Sequence, residues 1–228
     1  MGIDAFTGRA QAYVKARPGY PDAVMDYILA LAPDGAVFAD IGAGTGKFTQ
    51  LLARYGCRIY AVEPNADMRE QLALALADFP NAVITDGTAE ATKIPAGSVD
   101  AIVCAQSLNK FDLDAFRAEC RRIGRGNPVV IALHNFAYSN AQTLANYKKS
   151  TGAFYREPLV KEFPNPIHFT REGWLLYHAS MSGNPQADDE RYESHIVEKN
   201  AIFDRDSVDG LLRLELMTRV YSEKLMTE

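Results

Sequence analysis

Between residues 20 and 135, short runs rich in Val, Ile and Ala alternate with longer amphipathic stretches. No other feature constrains the fold as much. Fully apolar strands separated by helices are buried on both faces, so they pair as a parallel sheet with helices on each side. "PDAVMDYILALAP" reads as a helix with Pro21 allowed in its first turn, and "AVFADI" as a buried strand. "KFTQLLARYG" is a helix stopped by Gly56, and "CRIYAVE" a second strand. "ADMREQLALALADF" is a helix, "AVITDG" and "VDAIVCAQ" are the third and fourth strands, and "LDAFRAECRRI" is a helix capped by Asp112. "NPVVIALHN" is the fifth strand.

After residue 136 the rhythm changes. "YSNAQTLANYKKSTG" reads as helical, and the proline-interrupted "PLVKEFPNPIHF" as irregular, with room for a short strand. Thr170 is placed to cap the helix "REGWLLYHASMS", and "ADDERYESHIVEKNAIF" is a further helix. "LLRLELMTRVYSEKL" alternates apolar and polar residues, the pattern of a strand, expected to join the sheet antiparallel. The expected organisation is one domain: a core over 1–135, a helical cap over 136–205, and a final strand within 206–228.

Parallel sheets of this kind bind ligands at the C-terminal ends of their strands. That rule selects Asp40 to Gly46, Glu63, Asp86 to Glu90, Gln106 to Phe111, and His134 with Asn135. The first of these stretches is "DIGAGTG". A triphosphate loop requires G-x-x-x-x-G-K-[ST]. Here Ile41 replaces the first glycine and Phe48 the metal-binding hydroxyl. A dinucleotide loop requires G-x-G-x-x-G, but Gly42, Gly44 and Gly46 place the third glycine one residue early. Asp40 would also repel a pyrophosphate. It favours a cationic ligand, one bearing an ammonium and a sulfonium, which is S-adenosyl-L-methionine.

These residues resemble the class I S-adenosylmethionine-dependent methyltransferases, and the resemblance extends beyond the loop. "ADIGAGTG" resembles the family's first motif. Glu63, in "AVEPNADM", resembles the acid that accepts from both ribose hydroxyls. "DGTAEATKIPAGSVDAIVCAQSLNKFD" resembles the next two motifs, and "FTGRAQAYVKARPGYP" the entry segment of the small-molecule, methyltransferase type 11-like members. The match is specific over 6–135 and looser beyond. It implies a doubly wound, mostly parallel, seven-stranded Rossmann-like α/β sheet with an antiparallel final strand and a helical cap. It implies S-adenosyl-L-methionine as cofactor, with S-adenosyl-L-homocysteine as product, and a small-molecule acceptor. The cofactor-binding residues it implies are Tyr13, Arg17, Asp40, Gly42, Ala43, Gly44, Glu63, Pro64, Met68, Thr88, Ala89, Glu90 and Gln106. Tyr13 and Arg17 are placed to meet the cofactor's carboxylate.

Candidates for direct chemistry are His134, Asn109 and Lys110. Many close relatives carry His-Trp where this chain has Asn109-Lys110, a change that removes a base and adds a cation. It favours an anionic acceptor, or equally a cofactor-binding relative that has lost methyl transfer. Lys110 reads as a rim charge and Lys47 as a solvated one. The aromatic residues Tyr138, Tyr147, Tyr155, Phe163 and Trp174 supply enough surface for a pocket wall. "QSLNKF" lacks the proline-containing tetrapeptide of DNA amino-methyltransferases, and Cys104, preceded by Val103, lacks the Pro-Cys of cytosine-carbon enzymes.

The formal net charge of -5 weighs against a nucleic-acid backbone as partner. Three cysteines, Cys57, Cys104 and Cys120, form no C-x-x-C, so neither a disulfide framework nor a metal site is expected. No apolar run approaches the roughly 18 residues of a membrane span. The expectation is a soluble, cytoplasmic protein. Nothing in the pattern specifies an oligomeric state.

Overall fold

The computed structural model describes residues 14, 16–138, 140–181 and 183–226. Tyr13 and most of the entry segment lie outside the described residues.

The chain runs α1 (Asp22–Leu31), β1 (Val37–Ile41), α2 (Lys47–Arg54), β2 (Arg58–Val62), α3 (Ala66–Ala75), β3 (Ala82–Thr85) and β4 (Val99–Ala105). A 3-10 turn (Leu108–Lys110), α4 (Leu113–Ile123) and β5 (Gly124–Phe136) complete the first half. Then follow α5 (Ala141–Phe154), β6 (Leu159–Pro164), β7 (Ile167–Phe169), α6 (Arg171–Ala179), α7 (Tyr192–Asp206), β8 (Leu212–Leu214) and β9 (Met217–Lys224). Seven strands form one sheet in the order β3-β2-β1-β4-β5-β9-β6, while β7 and β8 pair separately. β1 to β5 are parallel neighbours, and β9 runs antiparallel to β5.

Alternation along each strand builds a core on both faces. Val37, Ala39 and Ile41 of β1, Ile102 and Cys104 of β4, and Val130 and Ala132 of β5 point to one side, against Phe116 and Cys120 of α4. Phe38, Ala101, Val103, Val129, Ile131 and Leu133 point to the other, against α1 and α2 through Met25, Ile28, Phe48 and Leu52. The period of two in side-chain direction is what makes every β1 residue buried. Cys104 and Cys120 are buried within this packing. Asp112 caps α4 by accepting from the Asp114 and Ala115 N–H groups at 3.2 Å, and Thr170 caps α6 by accepting from the Gly173 N–H.

Two expectations need correcting. "PLVKEFPNPIHF" is not irregular: it forms β6, the outer edge of the main sheet against β9, and then β7. Residues 136–205 are therefore not purely a helical cap. Pro164 is tolerated because β6 is an edge strand and the proline is its last residue. The final segment is also split, since β8 pairs with β7 and only β9 enters the sheet. Phe169, Trp174, Phe203 and Leu212 form a small separate core beneath α6 and α7.

Candidate active site

At the end of β1 the chain turns through Gly42, Gly44 and Gly46, with φ of 72°, 59° and 86°. L-residues avoid this left-handed region. A Cβ at Gly42 would lie 2.7 Å from Ser107 Cβ, and one at Gly46 would lie 2.7 Å from Leu72 Cδ1. At Gly44 a Cβ would meet nothing within 4 Å. The outer two glycines thus allow close packing, and the middle one presents bare backbone to open space. The Gly42 and Ala43 N–H groups donate to Val62 O at 2.9 and 3.0 Å, tying the loop to the end of β2.

Glu63 follows immediately. Its Oε2 accepts from the Gly44 N–H at 2.8 Å and its Oε1 from the Asn65 N–H at 2.9 Å. Burial pushes its pKa up, while these two bonds and the nearby Lys110 and Arg69 charges pull it down. Asp40 is fully buried on the α2 side of β1, where Thr49 Oγ1 donates to its Oδ2 at 2.6 Å. Its pKa is raised to about 7, chiefly by burial, with the Glu63 charge adding to the rise. Asp40 Oδ1 and Thr45 Oγ1 are buried without a hydrogen-bond partner.

A cavity of about 590 Å³ opens beside this loop, lined by Gly42, Ala43 and Gly44 together with Arg17, Gln106, Asn109 and Lys110. Gln106 carries a φ of 65°, a strained value for a residue with a side chain. It is held there by its N–H donating to Leu133 O at 2.8 Å and by its Oε1 accepting from the Tyr147 hydroxyl at 2.9 Å. The cap supplies the facing wall: Tyr147 from α5, Trp174, Tyr177 and His178 from α6, and Lys199 from α7. Arg17 joins the two sides. Its guanidinium donates to Ser180 O at 3.2 Å and lies 5.8 Å from the Tyr177 ring, while its carbonyl accepts from Lys47 Nζ.

Lys47 and Lys110 depart from their expected roles. Lys47 is half-buried, lines the cavity, and has its pKa lowered by burial and by Arg17. Lys110 is half-buried too. Burial lowers its pKa to about 8, with Arg17 adding and Glu63 opposing. Both are carried inward by short elements, the α2 N-terminus and the 3-10 turn. His134 is not in the cavity lining. It stacks on Tyr147 with ring centroids 3.7 Å apart, and burial first, then Arg219, lowers its pKa to about 3. It is a neutral packing residue.

Asp40, Glu63, Pro64, Met68, Thr88, Ala89 and Glu90 also lie outside the cavity lining. Met68 is buried in α3, and Glu90 Oε1 accepts from the Asp112 N–H at 3.0 Å, tying the loop after β3 to α4. Of the aromatic residues expected to wall a pocket, Tyr147 and Trp174 do so. Tyr155 and Phe163 are core, and Tyr138 is exposed. Tyr177, His178 and Lys199 were missed by sequence reasoning. The helix pattern of the cap says which face of α6 or α7 is apolar, not which residue meets a loop more than a hundred positions away.

Known proteins resemble this chain in sequence and in fold. A family described as methyltransferase domain matches residues 39–132. An uncharacterized methyltransferase of Mycobacterium tuberculosis is 37% identical over 108 residues, which is 47% of this chain and 42% of that protein. The chain thus spans less than half the length of that relative. A proposed type II methyltransferase from Anaeromyxobacter dehalogenans superposes with a TM-score of 0.71 at 22% identity, over 93% of this chain and 99% of that one. The geranyl diphosphate C-methyltransferase of Streptomyces coelicolor A3(2), solved with S-adenosyl-L-homocysteine, Mg2+ and geranyl diphosphate, superposes with a TM-score of 0.52 at 12% identity. That match covers 90% of this chain and 77% of the other. At these identities the two structures speak for the fold alone. Residues 39–132 thus match a methyltransferase domain, and the chain shares the fold of the superposed structures.

Proposed function

We propose that the chain binds S-adenosyl-L-methionine against the Gly42–Gly46 loop and transfers its methyl group to a small molecule held under the cap. The observation that carries this reading is the pairing of the N–H of Gly44, a residue of the cavity lining, with Glu63 Oε2. A carboxylate offers about four lone-pair sites. Two are used by backbone N–H groups, so Glu63 retains capacity for two ribose hydroxyls. The buried, unpartnered Asp40 Oδ1 and Thr45 Oγ1 and the open space at Gly44 suit a polar, cationic ligand. Arg17 and Lys47 are the residues that would take the cofactor's carboxylate.

The bound cofactor supplies an electrophilic methyl carbon on a sulfonium. The chain's own contribution is alignment and exclusion of water. Gln106, fixed by Tyr147, sets the floor at the end of β4, and the aromatic residues of α5 and α6 close the top. His178 lines the cavity with its pKa lowered to about 4, by burial first and by Lys199 next, so it is uncharged at neutral pH.

A second reading is favoured by Lys110: a cation acting on Glu63 fits a relative that binds the cofactor without transferring its methyl group. Titration calorimetry with S-adenosyl-L-methionine and, separately, NAD tests the cofactor. Release of S-adenosyl-L-homocysteine across a metabolite panel tests transfer. Binding without release for any acceptor would favour the second reading, and tight NAD binding would overturn both.

A further inference from the structure

The cavity has the opposite charge from the chain that builds it. Arg17, Lys47, Lys110 and Lys199 line it, and no carboxylate does so among the described residues, although the protein carries a net charge of -5. A concave site lined by one sign of charge concentrates ligands of the other sign. S-adenosyl-L-methionine does not balance this wall, because its ammonium and sulfonium outnumber its one carboxylate.

Three of the four cations have roles at the loop end. Lys47 donates to the carbonyl of Arg17, Arg17 bonds to Ser180 O, and Lys110 acts on Glu63. Lys199 is different. It stands on α7, with its side chain 14% exposed, and its ion pair is with Glu198, a 60% exposed neighbour on the rim. Water reaches the Glu198 side of that pair, while the Lys199 side chain is mostly buried at the cavity wall. The Lys199 backbone is also fixed, since its carbonyl accepts from Trp174 Nε1 at 2.9 Å.

His178 lies beside it, close enough that the Lys199 charge depresses its pKa. His178 Nε2 is buried with no hydrogen-bond partner, while Asn184 Nδ2 stands 3.4 Å from Nδ1. The same amide nitrogen donates to the His178 carbonyl at 2.8 Å, which holds it against the ring. The cavity lining thus brings an ammonium and an imidazole together.

We propose that the cap end of the cavity is an anion subsite, in which Lys199, with the His178 imidazole beside it, holds a carboxylate or phosphate group of the methyl acceptor. This rests on the methyl-transfer reading for the word acceptor, but the anion site stands on its own geometry.

The test titrates the protein saturated with S-adenosyl-L-homocysteine with succinate, pyrophosphate and, as a neutral control, glycerol. One anion should bind saturably, and more weakly as salt is raised. The anion that binds distinguishes carboxylate from phosphate recognition. Lys199→Gln should weaken that binding by about tenfold or more, the scale of a lost charged hydrogen bond, and should leave S-adenosyl-L-homocysteine affinity within about twofold. Lys199→Arg should restore most of it, and His178→Phe should weaken it while thermal unfolding shows a folded protein. The proposal is overturned if neither anion binds better than glycerol, or if Lys199→Gln binds the anion as the parent does. Failure of S-adenosyl-L-homocysteine to bind would instead remove the cofactor reading. The same titrations on the unloaded protein would then decide the anion site alone.

Discussion

At the scale of single residues, the site divides into backbone that must come close and side chains that must accept. Gly44 is the first kind. Its Cβ position is open, so Gly44→Val creates no clash in the ligand-free protein. It places a β-branched side chain at a left-handed φ, at a cost of about 1–2 kcal/mol, and fills the space beside the loop. The expected outcome is a folded variant by circular dichroism with no measurable S-adenosyl-L-methionine binding. Binding as tight as the parent's would show that this loop is not the cofactor loop. Glu63 is the second kind. Glu63→Ala should weaken cofactor binding by about 1.5–3 kcal/mol in calorimetry, the scale for hydrogen bonds to a charged group. It also strands the Gly44 and Asn65 N–H groups that Glu63 now satisfies. Its thermal midpoint should therefore fall as well, and unchanged affinity in a folded variant would remove Glu63 from the site.

At the scale of elements, α6 and α7 form a unit of their own. Their contacts run through Phe169, Trp174, Phe203 and Leu212, a cluster separate from the two cores that flank the sheet. Regions with few buried contacts to the rest open at lower free energy than the core. Trp174 is central here: it is buried, packs edge-on to His178 with centroids 4.2 Å apart, and bonds to Lys199 O. Trp174→Ala should cost about 3–5 kcal/mol within this unit, the usual range for truncating a buried aromatic residue. Hydrogen exchange should then quicken across α6 and α7 and stay slow in β1, β4 and β5. Uniform loss of protection across the sheet would contradict the separation. On the sheet side the structure puts the expected Gly42, Ala43, Gly44 and Gln106 in the cavity lining, because each stands at the end of a strand whose pattern is local. Thr170 and Asp112 sit at caps whose chemistry is local, and Glu63 ends a strand whose period is local. The cap residues Tyr177, His178 and Lys199 carry no such signal.

At the scale of the whole molecule, a buried carboxyl at the centre of the sheet gives stability a pH dependence. The Asp40 pKa is raised to about 7 in the folded state, from the ordinary carboxylate value near 4 when unfolded. Between those values the folded protein holds a proton that the unfolded chain has released. The Asp40 contribution to stability is therefore largest at low pH and is lost as pH rises towards about 7. His134 and His178 act in the other direction, since burial lowers their pKa values to about 3 and about 4. Below the ordinary histidine range the unfolded chain binds their protons and the folded chain does not. Comparison with Asp40→Asn isolates the carboxyl. In urea unfolding of the ligand-free proteins, the stability advantage of Asp40→Asn over the parent should grow from about pH 5 to about pH 7.5. A constant difference across that range would place the Asp40 pKa near its ordinary value.

The sequence by itself determined the five parallel strands, the helices between them, the glycine loop and the two capping residues. Each is written in a period of two, a spacing of glycines or a side chain three residues from the N–H it accepts. The tertiary structure decided what depends on distant chain meeting. β6, Leu159–Pro164, is a short mixed stretch with Lys161 and Glu162 at its centre, and becomes a strand because β9 offers it an unpaired edge some sixty residues later. Lys110 reads as a rim charge in its own turn, and is drawn inward beside Glu63 by the 3-10 turn that follows β4. His134 reads as a strand-end base, and is taken out of the cavity lining by Tyr147 stacking over it from α5. Local pattern fixes which way a side chain points from its own element. Only packing fixes what stands opposite.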